Sequence, residues 1–316
     1  MKFSIVIAVA PDRKAEVVES LKNIDYPKKD FEIIIEKGLN PSDNRNRGFK
    51  KAKGEIIGFI DDDAFISPDL LKNADDFLKQ NPDIAIVGGV QLTPQEQRGF
   101  GKISGYALSS KFGAWKMANR YCEGKIICDT DETCVTSAIL FCRRKVMENI
   151  NFDPKLFPGE DPRFIYDAKK QGFKVAYNPN LIIYHKRRAG PKGLSKQIFN
   201  YGKVRPKKES FFETLKMPFF IIPSLFFIYI LTLIFYVLLK VSITGAIIGA
   251  NEKITLFSHV LFGPLILYII LAILFALYDS TKNKDFKAFF VLPFIYPMIH
   301  LSYGAGMIYG HFKKVF

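Results

Sequence analysis

The sequence predicts an α/β domain followed by a C-terminal helical transmembrane region. Three observations carry this. The first ninety residues alternate short apolar runs of strand length with helix-period segments. From Phe219 onward the composition turns to Phe, Ile, Leu, Tyr and Val, in stretches of the roughly 20 residues that a membrane helix needs. Between these regions, Lys186 to Lys208 holds nine Lys or Arg residues and no acid.

The soluble elements follow in order. Phe3–Ala8 is an apolar strand, and Lys14–Leu21 places Ala15, Val18 and Leu21 on one helical face. Glu32–Glu36 is the second strand. In "NPSDNRNRGFKKAKGE", Asn40 suits a helix cap and Pro41 the first helical position, with Gly48 and Gly54 as punctuation. Ile56–Ile60 is a third strand, Pro68–Gln80 a helix, and Ile84–Val87 a fourth strand ending at Gly88-Gly89. Strands separated by helices imply a parallel sheet covered on both faces. In such sheets ligands bind beyond the carboxyl ends of the strands.

The apolar region divides into three spans. Residues 219–239 carry no charge, 256–277 only His259, and 288–309 only His300, with Pro293 and Pro297 inside. Gly306 and Gly310 form a G-x-x-x-G spacing, a mark of close helix packing. Met1–Ala10 reads as a buried strand rather than a signal peptide, so the N-terminal domain is expected on the cytoplasmic side. The basic stretch before the first span agrees, by the positive-inside pattern. Lys313 and Lys314 then fall outside, a contradiction that a re-entrant third segment would remove. Leu194, Ile198 and Tyr201 share a helical face with basic residues elsewhere, an interfacial pattern. The expected organisation is a domain at 1–205, a basic interfacial linker at 206–218 and a membrane region at 219–316.

Charge and cysteines narrow the partners. The formal net charge is +14, and much of the excess lies beside the first span, where anionic lipid headgroups attract it. Zinc-finger spacing and a basic recognition helix are both absent, which argues against nucleic acid. Cys122, Cys128, Cys134 and Cys142 lack metal-ligand spacing and read as reduced thiols.

The chemistry gathers at "GEIIGFIDDDAF", Gly54 to Phe65. An apolar strand ends in Asp61, Asp62 and Asp63. Three adjacent carboxylates become favourable beside a hard divalent cation, Mg²⁺ or Mn²⁺. If the chain stays extended, Asp61 and Asp63 point to the same side. The plainer alternative is a solvated acidic turn or a cap for the following helix.

"SIVIAV", then "RNRG" at Arg45 to Gly48, then "AKGEIIGFIDDDA" resemble the family 2 glycosyltransferases of GT-A fold. "FDPKLFPGEDPRFIYDAKKQGFKVAYNPNLIIYH", Phe152 to His185, resembles the acceptor half of that family, and "SKQIFNYGK" before hydrophobic spans resembles its membrane-attached members. The resemblance implies a Rossmann-like nucleotide-sugar-binding domain and inverting transfer of a sugar from a nucleotide-diphosphate donor. Asp61 and Asp63 take the D-x-D positions, with nucleotide and metal contacts, and Asp62 is placed with the nucleotide. Asp161 takes the general-base position, His185 that of a further metal or pyrophosphate ligand, and Arg45 lies near the nucleotide. An acidic turn after the second strand is usual in the family. Here it is "EKGLN", which leaves Glu36 to read the base.

Other residues keep two readings. Asp161 precedes Pro162 and equally suits a helix N-terminus. Glu160 either orients the acceptor or pairs with a basic residue. Arg187 and Arg188 grip phosphate or meet headgroups. Gln197 is expected to contact acceptor or phosphate, and its helix, with Tyr201, resembles a gate over the donor. Trp115 stacks on an acceptor sugar or packs in the core. The leading expectation is a membrane-bound, metal-dependent transferase whose acceptor is a lipid-linked or growing glycan at the cytoplasmic membrane face. The alternatives are a polyprenyl-phosphate sugar synthase, whose acceptor needs no base, and a non-catalytic membrane scaffold.

Overall fold

The computed structural model describes residues 1–208, 211–244 and 252–315. Residues 209 and 210 of the expected linker, and 245–251 of the membrane region, lie outside the described residues. The chain forms two compact units, Met1–Arg188 and Ala189–Phe316. Residues 189–205 therefore group with the apolar helices.

The first unit runs β1 (Phe3–Val9), α1 (Val17–Lys22), β2 (Phe31–Lys37), α2 (Pro41–Lys51), β3 (Ile56–Ile60), β4 (Ala64–Ile66), α3 (Leu70–Gln80), β5 (Ile84–Leu92), α4 (Gly99–Leu108), α5 (Lys111–Ala114), β6 (Ile139–Arg143), α6 (Arg144–Asn149), α7 (Glu160–Lys170) and β7 (Lys174–His185). Asn40 caps α2 as its position implies: the Ser42 amide donates to its side chain at 2.9 Å. The strands form one seven-stranded sheet in the order β2-β1-β3-β6-β5-β7-β4.

The sheet is mixed, which corrects the all-parallel expectation. β1 pairs parallel with β2 and β3, but β6 enters antiparallel between β3 and β5, and β4 pairs antiparallel with β7. β6 is four apolar residues and Arg143, followed at once by the short α6, and nothing in that run encodes its direction, so alternation of strand and helix missed it. β5 also runs on through Gly88 and Gly89 to Leu92 rather than ending there. Both faces are covered. Ile5, Ile7 and Val9 enter one core with Leu21, Leu71 and Phe141, while Val6 enters the other with Phe59, Phe152 and Phe164. That alternation is the two-residue period of a strand.

The second unit holds α8 (Pro191–Lys208), α9 (Phe211–Leu215), α10 (Ile222–Thr244), α11 (Glu252–Lys282) and α12 (Phe286–Val315). Among the described residues, three helical segments are long and apolar enough to cross a membrane: Pro218–Leu239, Val260–Lys282 and Phe286–Lys313. α12 is one continuous helix despite Pro293 and Pro297, so it does not turn back on itself as a re-entrant segment would. The expected interfacial face of α8 is used by the protein instead. Leu194 and Ile198 are buried, and α8 packs on α12 at the G-x-x-x-G pair. A Cβ on Gly306 would sit 2.1 Å from the Phe199 carbonyl oxygen, and one on Gly310 2.2 Å from that of Lys203. Only glycine admits so close a backbone approach.

Candidate functional site

Strand pairing builds the site. β3 ends at Ile60, and the three acids beyond it form a turn in which the Ala64 amide donates to the Asp61 carbonyl at 3.3 Å. Asp61 and Asp63 converge through this turn, not through an extended chain. The turn leads into β4, whose antiparallel register sets Ala64 opposite His185. His185 Nε2 consequently lies 2.9 Å from Asp63 Oδ1. On the other flank, β3 sets Ile60 opposite Ile139 of β6, and the Asp61 amide donates to the Ala138 carbonyl at 3.2 Å. This carries Ser137 to the same edge, where its Oγ donates to Asp161 Oδ1 at 2.5 Å.

Asp161 is the second residue of α7. The helix turns in sharply at Gly159, whose φ of 126° is a conformation that side chains other than glycine's rarely allow. The Gly159 amide donates to Glu160 Oε2 at 2.9 Å. Asp161 is thereby engaged by a residue from a distant strand edge and is not limited to capping its own helix.

Arg45 holds the halves together. It extends from α2, is buried, and lies 5.3 Å from the Phe152 ring centroid. Its guanidinium reaches Glu160 Oε1 at 2.9 Å, Asp61 Oδ1 at 3.5 Å and Asp161 Oδ1 at 4.0 Å. Arg13, in the loop after β1, reaches Asp63 Oδ2 at 2.8 Å and Asp62 Oδ1 at 3.3 Å. Asp62 has the least exposed side chain of the three acids. It is buried, and its Oδ2 has no hydrogen-bond partner among the described residues.

The electrostatics follow this layout. Burial raises the Asp61 carboxyl, against the pull of Arg45 and His185. Burial likewise lifts Asp62 to about 6, against Arg13. At Asp63 burial works the same way but is outweighed: hydrogen bonds and charge from His185 and Arg13 hold it well below the usual carboxylate range. Glu160 is raised to about 7, by burial first and the Asp161 charge second. Burial opposes the Arg45 charge, and Asp161, Glu160 and Asp61 more than offset it.

Glu36, Arg187, Arg188, Trp115 and Gln197 complete the expected set. Glu36 is buried, with Oε1 2.6 Å from Lys51 and Oε2 3.3 Å from Arg47, so both oxygens are engaged. Arg187 is buried too, donating to the Gln91 carbonyl and to Thr93 Oγ1, with its guanidinium 4.7 Å from the Tyr121 ring centroid. A fork held that way grips the protein rather than a phosphate. Arg188 is exposed. Trp115 is 59% exposed at a φ of 50°, so it is not core packing. Gln197 belongs to the second unit, where it donates to Tyr201 Oη at 3.0 Å. All four cysteines are free thiols.

Sequence reasoning missed Arg13 and Ser137. The signal for Arg13 was its place just beyond the carboxyl end of the first strand. Ser137 had only its position before the overlooked strand β6.

Asp61, Asp63 and His185 each offer a ligand atom, all within 4.8 Å of one another. Two carboxylates and an imidazole at one sheet edge fit a divalent cation of the Mg²⁺ or Mn²⁺ kind. A mixed sheet of this order with an acidic edge is a Rossmann-like fold of GT-A type. A mannosyltransferase from Pyrobaculum calidifontis, solved with GDP-Man and Mn²⁺, shares the fold, with a TM-score of 0.57 at 12% identity over 99% of this chain and 88% of that one. Residues 1–200 match the family described as glycosyltransferase like family 2, and the chain belongs to that family. It is similar to the Methanococcus voltae dolichyl N-acetyl-alpha-D-glucosaminyl phosphate 3-beta-D-2,3-diacetamido-2,3-dideoxy-beta-D-glucuronosyltransferase, 24% identical over 64% of this chain and 72% of that protein. It is also similar to the poly(ribitol-phosphate) beta-glucosyltransferase of Bacillus spizizenii, 33% identical over 28% of this chain and 19% of that one.

Proposed function

We propose that the chain transfers a sugar, with inversion, from a nucleoside-diphosphate donor to a hydroxyl of a lipid-linked or growing glycan at the cytoplasmic face of a membrane. The observation that carries this reading is Arg45, one buried guanidinium that contacts both Asp61 and Asp161. It sets the acids suited to a donor and the acid suited to an acceptor on one edge. The names of the relatives support the acceptor class, since one acts on a dolichyl-phosphate-linked sugar and another on poly(ribitol phosphate). The basic residues ahead of the first apolar helix support the cytoplasmic face.

Asp61, Asp63 and His185 would hold Mg²⁺ or Mn²⁺, which when bound supplies positive charge to a departing diphosphate. Asp161 accepts the proton of the attacking hydroxyl. Ser137 occupies its Oδ1, which fixes the carboxylate and leaves Oδ2 as the acceptor. A positioned base of this kind contributes about 10²- to 10⁴-fold in rate. Attack from the face opposite the leaving group inverts the anomeric centre. Arg45 keeps the crowded acids together while this happens.

The test begins with a screen of nucleotide sugars for binding to the full chain with and without Mn²⁺ or Mg²⁺. Chelation should abolish binding of the donor that is found. Asp161→Asn should then lower turnover by about 10²- to 10⁴-fold while donor binding stays intact. Near-normal turnover would remove Asp161 from its role and favour an acceptor phosphate, already ionised, as in the polyprenyl-phosphate synthases.

A further inference from the structure

We propose that Arg13 is the resting counter-charge of the acidic triplet, and that it exchanges the Asp63 carboxylate for the donor's diphosphate when cation and donor bind. This rests on the reading that Asp61, Asp63 and His185 hold a divalent cation.

Each Asp63 oxygen already has a neighbour. Oδ1 lies against His185 Nε2 at 2.9 Å and Oδ2 against Arg13 Nη2 at 2.8 Å. A cation entering between Asp61 and Asp63 meets the Arg13 charge within a few ångströms, and like charges at that range repel. Of the two neighbours of Asp63, Arg13 is the one placed to yield. His185 is itself a cation ligand by its chemistry and is fixed as the last residue of β7. Arg13 lies in a loop, its side chain 46% exposed, and is free to turn into solvent.

Asp62 supplies the pivot. Its side chain is only 8% exposed and contacts the same Arg13 nitrogen at 3.3 Å. Its backbone is fixed by the Val17 amide, which donates to its carbonyl at 3.1 Å. Arg13 can therefore release Asp63 while Asp62 keeps the guanidinium at the edge. A diphosphate arriving beside the cation then offers oxygens that the planar guanidinium fork matches in pairs. The exchange makes and breaks no covalent bond. It also gives a role to the middle acid of the triplet, whose side chain is the least exposed of the three.

The experiment measures two affinities of the purified full chain in detergent. The first is Mn²⁺ alone, by electron paramagnetic resonance. The second is UDP or GDP in saturating Mn²⁺, by calorimetry. Arg13→Gln should tighten Mn²⁺ by about threefold to tenfold, since a partly exposed competitor is removed, and weaken the nucleoside diphosphate by about tenfold. Arg13→Lys should restore wild-type Mn²⁺ affinity but only part of the diphosphate affinity, because the fork is lost. Opposite signs are the signature, since damage to the loop would weaken both ligands together. If Arg13→Gln weakens both or changes neither, while wild type binds Mn²⁺ and Asp63→Asn does not, the exchange is wrong and the cation site stands. If wild type binds no Mn²⁺, both readings fall.

Discussion

Two glutamates at one end of the same sheet have opposite electrostatic fates. Glu36, near the end of β2, and Glu160, at the start of α7, are 6% and 5% exposed. The Glu36 carboxyl is held below the usual range, chiefly by its hydrogen bond to Lys51 and, against burial, by Arg47. Glu160 is pushed up to about 7 by burial and by Asp161. The difference is the supply of counter-charge. Glu36 has two cations, whose side chains are 65% and 46% exposed and free to adjust. Glu160 shares the buried Arg45 with Asp61 and Asp161. Burial therefore does not mark the site. A surplus of negative charge that the protein leaves uncompensated does, and that is where a divalent cation is proposed.

The sharpest way to break this comparison is Arg45→Met. Removing the charge shared by three acids leaves the buried Glu160 carboxylate unpaired, at a cost of about 3–5 kcal/mol. Thermal melts of the full chain in detergent should show a large fall in Tm. The double variant Arg45→Met, Glu160→Met should recover part of it, because a buried pair replaced by apolar residues is far less costly than a half-broken one. An unchanged Tm in the single variant would mean that the acids do not depend on Arg45.

How much of this was legible in the residues differs between the two regions. The triplet Asp61–Asp63 was readable because three carboxylates after an apolar run have few tolerable explanations. Asp161 and His185 came from resemblance, and the physical reason they meet the triplet was hidden. His185 arrives through antiparallel pairing with β4, a three-residue strand too short to show a period. Ser137 arrives through β6, whose direction no local pattern encodes. Glu36 was given the base-reading role because it is the acid after the second strand. Lys51 and Arg47 reach back from α2, 15 and 11 residues on, to pair with it. Long side chains satisfy a carboxylate in ways that spacing alone does not reveal. The G-x-x-x-G pair was legible as a packing signal, but its partner α8 was read as a membrane-surface helix, since an apolar face looks alike whether it meets lipid or protein.

Glu160→Gln sharpens the comparison through pH. A carboxyl whose folded pKa is raised from 4.5 to about 7 keeps a proton in the folded state that the unfolded chain releases. Stability from this group is present below about 4.5 and lost as pH rises through about 7. Relative to Glu160→Gln, wild-type Tm should therefore decline between those values and run parallel above them, by a few degrees in all. A flat difference would mean that Arg45 alone keeps Glu160 ionised.

Lys51→Met is the smallest effect and carries the opposite sign. Glu36 has a depressed pKa, so its contribution is present above the ordinary value of 4.5 and lost as pH falls through the lowered one. Removing Lys51 takes away the largest cause of the depression. Its side chain is 65% exposed, and solvent screens such a pair to roughly 0–1 kcal/mol. The expected loss at pH 7 is about a degree or less in Tm, shrinking further as pH falls through the carboxylate range. Salt separates the two glutamates again. At about 0.5 M NaCl the Lys51→Met difference should vanish, because exposed charges are screened over a few ångströms, while the Glu160→Gln profile should persist because Glu160 and Arg45 are buried. If the two variants instead shared one slope and one salt response, the counter-charge supplied to each glutamate would not be what distinguishes the regions, and Arg45 would lose its place as the residue that defines the site.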